Sequence, residues 1–174
     1  AVLWGSDTRS KQMAALVAAR LQLGLCADCT ALETDGQELI MYRPALSGSI
    51  IAKIKSHTKP AMATVRTAQN SSDIVVSAGF GAKNSIEAVT SFARGINADL
   101  AASRKAVDHN LLPYSVQVGL TGNTVNPPVY IAIGISGAVH HIAGMSSSGT
   151  VIAINPDKTA PIFEYADFGI ADCI

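Results

Sequence analysis

Cysteine is scarce: three residues in 174, an odd count that argues against a disulfide scaffold. Cys26 and Cys29 form a CxxC, but no second CxxC or nearby Cys/His pair supplies the other ligands of a zinc site. Residues 26–32 read as an extended segment, whereas a redox CxxC opens a helix. The pair is therefore expected to pack as small apolar side chains. Charge is also sparse, 15% of residues, with thirteen Lys and Arg against thirteen Asp and Glu. No basic cluster interleaves with aromatics, so nucleic acid is not an expected partner. Zero net charge offers little resistance to self-association and leaves room for a homo-oligomer. No paired acid/base or nucleophile–base pattern suggests an enzyme. Residues 111–156 carry no charged side chain, yet Gly, Pro, Asn and two His interrupt them, so no membrane span is expected. No basic segment with an apolar core and cleavage site opens the chain, and the expected compartment is the cytoplasm.

Apolar residues make up 48% of the chain, enough for an ordered, well-buried protein. Residues 1–5 read as a strand. Ser6 or Asp7 then caps a helix with Met13, Leu16, Val17 and Leu21 on one face, ending before Gly24. Residues 37–42, 49–54 and 61–65 read as strands, with 44–48 as a loop. A polar linker over 67–72 leads to a second unit. There a strand at 74–77, a small-residue turn at 78–82 and a helix carrying Ile86, Val89, Phe92, Ala93 and Ile96 follow in order. Strands alternating with helices imply a parallel α/β sheet with its ligand at the carboxyl ends of the strands.

The apolar, β-branched run 129–135 reads as a buried parallel strand. It runs into Gly134-Ile135-Ser136-Gly137 and then a short helix over 138–145. Glycines that permit close approach, followed by unpaired helix N–H groups, favour a phosphate and hence a dinucleotide. Ser136 could equally be a plain helix N-cap. Gly119-Leu120-Thr121-Gly122 forms a second flexible turn, and His140-His141 follows the phosphate turn.

Five motifs stand in order: Ser103-Arg104-Lys105-Ala106-Val107-Asp108, the turn around Thr121, the glycine turn at 134–137, 151–155, and 160–163 with 166–170. Together they closely resemble the C-terminal, FAD-binding domain of electron-transfer flavoprotein alpha subunits over nearly all of 73–174. The resemblance implies a Rossmann-like parallel sheet flanked by helices, preceded over 1–66 by a partial, smaller α/β N-terminal unit. It implies FAD as cofactor, with Ser136, Gly137 and Ala138 around the pyrophosphate and Ser103 beside Arg104. Arg104 is expected beside the flavin ring, where a fixed positive charge favours a reduced, anionic flavin. Thr121 is expected near N5, in a turn with Gly119 and Gly122. His141 is expected near the pyrimidine carbonyl, and Gln117 at another flavin position. Asn155 and Asp172 match the adenosine end. His140 is expected to be structural.

By the same resemblance the chain is an electron carrier rather than an enzyme. It would shuttle electrons from a flavin dehydrogenase to an acceptor, with a beta subunit completing the flavin site. The alternative is a nucleotide- or FAD-binding module that has lost electron transfer. Several positions depart from the family. Phe80 replaces the arginine of Ser-Gly-Gly-Arg-Gly, deleting a positive charge. Leu120 replaces a glutamine and Asn123 a lysine. One residue is missing before Asp172, the N-terminal domain lacks its first half, and the linker is short.

Overall fold

The computed structural model describes residues 1–45 and 50–174, which divide into two units, Ala1–Thr67 and Ala68–Ile174. Most of the expected 44–48 loop and the start of the strand at Ser49 lie outside the described residues.

The first unit contains β1 (Val2–Gly5), α1 (Thr8–Leu21), β2 (Leu25–Cys29), β3 (Ala31–Thr34), β4 (Leu39–Ala45), β5 (Ile50–Lys55) and β6 (Met62–Val65). Strands β1, β6 and β2 form a parallel sheet in that order, and β3, β4 and β5 an antiparallel one. Pro44, expected in a loop, lies within β4. Asp7 caps α1 by accepting from the Ser10 N–H at 3.0 Å. The buried face of α1 is not the expected one: Ala14 and Ala18 are buried, while Met13, Leu16 and Leu21 are about half exposed. Alanines bring the helix backbone close to its neighbours, and the larger side chains are left on the outer side.

Cys26 and Cys29 are both buried, in one cluster with Met41 and Ala63. In a regular strand residues three apart face opposite sides. Here the register against β6 shifts between them, and Asp28 adopts a left-handed backbone (φ 62°). This bulge turns both thiols inward, with their sulfurs 3.4 Å apart. Burial pushes the Cys29 thiol up to about 12, so it is inert as a nucleophile.

The second unit is a five-stranded, wholly parallel sheet: β7 (Ile74–Ala78), β8 (Asp99–Ala102), β9 (Val129–Ile133), β10 (Thr150–Ile154) and β11 (Phe168–Ile170), in the order β11-β10-β9-β7-β8. Alternation sorts its side chains. Val75, Tyr130, Ala132, Val151 and Ala153 enter one core, and Val76, Ala78, Ile131 and Ile133 the other, where Val89 and Ala93 of α2 (Ile86–Gly95) also pack. Residues 68–72 are tied to this unit: the Gln69 N–H donates to the Thr124 carbonyl, and Ser71 and Ser72 donate to Asp99. Among the described residues no helix is long and apolar enough to cross a membrane.

Candidate functional site

All five strands of the second unit end on one side. The chain leaves β7 toward β8 on one flank, while β9 and β10 lie on the other, so the order reverses between β7 and β9. Ligands of open α/β sheets sit in the crevice at such a switch point. A cleft of about 470 Å³ opens there, walled by the segments that follow β7, β8, β9 and β10 and by residues 117–121.

Glycine makes the crevice possible. Gly134 follows β9 with φ 66°, in the left-handed region that penalises a side chain. A Cβ on Gly79, just after β7, would lie 2.0 Å from the Gly134 carbonyl oxygen. The two turns are joined instead by hydrogen bonds, from the Gly79 N–H to the Ile133 carbonyl at 2.7 Å and from the Gly81 N–H to the Gly134 carbonyl at 2.9 Å.

Nine expected site residues share this cleft: Ser103, Arg104, Gln117, Gly119, Thr121, Ser136, Ala138, His141 and Asn155. Ser103 caps α3 (Arg104–Asp108) through the Ala106 N–H. Arg104 is exposed at the wall, with its Nε 3.4 Å from Asp108. The buried amide of Gln117 donates to the Thr121 hydroxyl at 3.1 Å, and Tyr114 donates to the Thr121 carbonyl. Asn155 is buried; it donates to the Ile135 carbonyl at 2.8 Å and accepts from the Asp157 N–H at 2.9 Å, locking two strand ends together.

Three expected residues are not on the cleft wall. Gly122 closes the turn behind Thr121, its N–H bonded to the Gly119 carbonyl. Gly137 (φ 86°) instead allows a close approach, since a Cβ there would sit 2.2 Å from the Ile162 nitrogen. Asp172 is exposed beyond β11, and its carboxylate accepts from the next residue's N–H.

The expected helix over 138–145 is a single turn, α4 (Val139–Ile142), with Ala138 rather than Ser136 at its N-cap. Its ladder is intercepted, because the His140 carbonyl accepts from the Leu120 N–H at 2.7 Å and the Gly144 carbonyl from the Val125 N–H at 2.8 Å. So short a helix contributes little dipole. His140, expected to be structural, stands exposed on the cleft wall.

His141 is buried, with its Nε2 2.9 Å from the Tyr130 hydroxyl and its Nδ1 without a hydrogen-bond partner. Burial pulls the ring down to about 4, against a weak opposing pull from the Val118 backbone, so it is neutral at pH 7. Phe80 lies at the cleft edge with its ring 4.4 Å from that of His109. The Lys105 and Lys83 ammonium groups stand 4.6 and 5.2 Å from the Phe80 ring centre, so positive charge persists where a cation was expected to be lost. Sequence reasoning also missed Asp157 and Pro161 on the cleft wall, and Tyr130 beneath His141. Only the Asn155-Pro156-Asp157 turn pattern could have pointed to Asp157.

Comparison with known proteins bears on this geometry. Residues 69–146 match the family model described as the electron transfer flavoprotein FAD-binding domain, and residues 1–93 match that of the electron transfer flavoprotein domain. The electron transfer flavoprotein subunit alpha of Thermoanaerobacterium thermosaccharolyticum is 38% identical over 97% of this chain and 66% of its own length. That of Syntrophomonas wolfei is 32% identical over 98% and 67%. Protein FixB of Rhizobium meliloti is 32% identical over 99% and 63%. The chain thus spans about two thirds or less of the length of these relatives. With both family models matched and the relatives aligned along almost all of its residues, the chain belongs to the electron transfer flavoprotein alpha-subunit family.

Proposed function

We propose that the second unit binds FAD in the switch-point cleft and that the chain acts as an alpha-subunit-type electron carrier, not an enzyme. The observation that carries the reading is the pairing of the Gly79 and Gly134 turns. Their close contact shapes a cleft lined by Gly81 and Gly134 with nine of the expected residues around them. The residues fit such a ligand: the orphaned Nδ1 of His141 is a polar atom awaiting a partner, and Arg104 and Lys105 bring positive charge to the wall. Bound FAD would supply the redox chemistry, taking up and returning electrons. The chain's residues would position it. Gln117 and the Thr121 hydroxyl it holds would face the ring, Arg104 would favour a reduced anionic ring by proximity of charge, and Asn155 would steady the far end. Residues 1–66 would correspond to part of the alpha subunit's N-terminal domain and 73–174 to its FAD-binding domain.

A beta subunit would complete the site, a flavin dehydrogenase in the cytoplasm would donate electrons, and self-association is a further possibility of this reading. Leu3, Leu16 and Leu21 of the first unit are more than half exposed, the kind of apolar surface that partners cover. The exposed Asp172 plays no part in binding by this reading. A second reading, a nucleotide-binding module without electron transfer, draws on Phe80 and Leu120, which put apolar side chains on the cleft wall. Calorimetric titration with FAD, FMN and ADP separates the two. The electron-carrier reading expects FAD to bind at least tenfold more tightly than either fragment. Equal affinity for FAD and ADP would favour the second reading, and no binding of any of the three would sink both.

A further inference from the structure

The bulge in β2 leaves two thiols facing each other, which cysteines serving only as small apolar side chains do not require. The register shift between Cys26 and Cys29 and the left-handed backbone of Asp28 turn both side chains inward. Their sulfurs meet at 3.4 Å. Met41 and Ala63 share the cluster, with Leu32, Leu39, Ile54 and Val65 packed around it.

The surroundings select among the chemistries open to such a pair. Among the described residues no group of three or more His, Cys, Asp or Glu could hold a metal ion, and two thiols supply only half the ligands of a structural zinc. Exchange with an outside disulfide needs an accessible thiol, and these two are 6% and 0% exposed. What remains is a bond between the two sulfurs. It is neutral, leaves no S–H to be satisfied and suits an apolar core. The pair is already ordered for it. Burial keeps Cys29 protonated at pH 7, and its S–H donates toward Cys26 Sγ at 3.4 Å and the Cys26 carbonyl at 3.5 Å. Cys26 is therefore the acceptor of the pair, and it is also the less buried of the two.

We propose that Cys26 and Cys29 form a redox-active dithiol that a small peroxide converts into a disulfide within β2. The Cys26 sulfur attacks one peroxide oxygen. The O–O bond breaks, the other oxygen leaves as water with the Cys26 proton, and Cys26 becomes a sulfenic acid. The Cys29 sulfur then bonds to Cys26 Sγ, the S–O bond breaks, and the departing hydroxyl takes the Cys29 proton as a second water. Each sulfur loses one electron and the peroxide gains two. Cys29, inert toward reagents outside the core, has only to close from 3.4 Å to about 2 Å. The bond would fix the bulge from which Asp28 reaches Lys11 and Arg66, so the response is local to the first unit. Neither step involves the cleft or its ligand, and none of this rests on the FAD reading.

The test is hydrogen peroxide treatment of the reduced, folded chain, followed by alkylation in denaturant and peptide mass mapping. Cys26, Cys29 and Cys173 are all free beforehand. Cys26 and Cys29 are expected to lose alkylation together, in one internally bonded peptide, and to regain it after reduction with dithiothreitol. Cys173→Ser should leave that result unchanged. Cys29→Ser should abolish the bond and leave a Cys26 sulfenic acid that a 1,3-diketone traps, and Cys26→Ser should abolish both products. If Cys26 and Cys29 stay alkylatable in the folded wild type while the exposed Cys173 oxidises, the proposal is overturned and the pair is packing alone. That outcome is read from the wild type, whether or not the variants fold. A bond that forms only in urea, or only to Cys173, overturns it equally.

Discussion

At Asp28, one carboxylate holds the bulge that shapes the first unit's core. Burial alone would raise its pKa, but Lys11 at 2.7 Å, the Ser6 hydroxyl and Arg66 at 3.3 Å outweigh that and bring it down to about 2, from 3.8. A depressed carboxylate pKa contributes stability that is present above pH 4 and lost as pH falls from about 4 through 2. With the side chain 29% exposed, the contribution at pH 7 is about 1–2 kcal/mol, below the full linkage value. Asp28→Asn should lose that amount in urea unfolding at pH 7 and flatten the decline between pH 4 and 2. A variant as stable as wild type at both pH values would remove Asp28 from this role. Little of this was legible in the sequence, because Ser6, Lys11, Asp28 and Arg66 meet only when α1, β2 and β6 assemble. Phe80 teaches the same lesson: its substitution reads as a deleted charge, while Lys83 and Lys105 stand over its ring in the fold.

Among the elements, legibility followed local pattern. The runs that became β7, β9 and β10 are apolar, β-branched and bounded by turn residues, so the strands and their parallel pairing could be read directly. The face of α1 could not. Periodicity selects the large side chains Met13, Leu16, Val17 and Leu21, whereas packing buried Ala14 and Ala18. Helix α4 was misjudged because tertiary partners from 120 and 125 take its carbonyls. The glycine turns after β7 and β9 lie between these cases: their residue types are visible, but their contact with one another is not. That contact is testable. A Cβ at Gly79 would have to displace the Gly134 backbone, so Gly79→Ala should destabilise the second unit by about 2–4 kcal/mol. It should also weaken FAD binding, as followed by urea unfolding and flavin titration. A loss under about 0.5 kcal/mol would contradict the close approach.

For the whole molecule, the family was legible from five ordered motifs, and the matched models and relatives show it. Nine of twelve expected site residues line one cleft, because motif positions after successive parallel strands all fall on the same side of the sheet. The three that do not are two turn glycines used for packing and Asp172 beyond the last strand. The remaining chemistry, Tyr130 under His141 and the lysines over Phe80, comes from cores and rims that no linear motif encodes. The most direct test of the account is a visible absorption spectrum of the purified protein after incubation with excess FAD and desalting. Retained flavin bands, released as FAD on denaturation, are the predicted result. A protein that emerges colourless, both alone and when mixed with a family beta subunit, would contradict it.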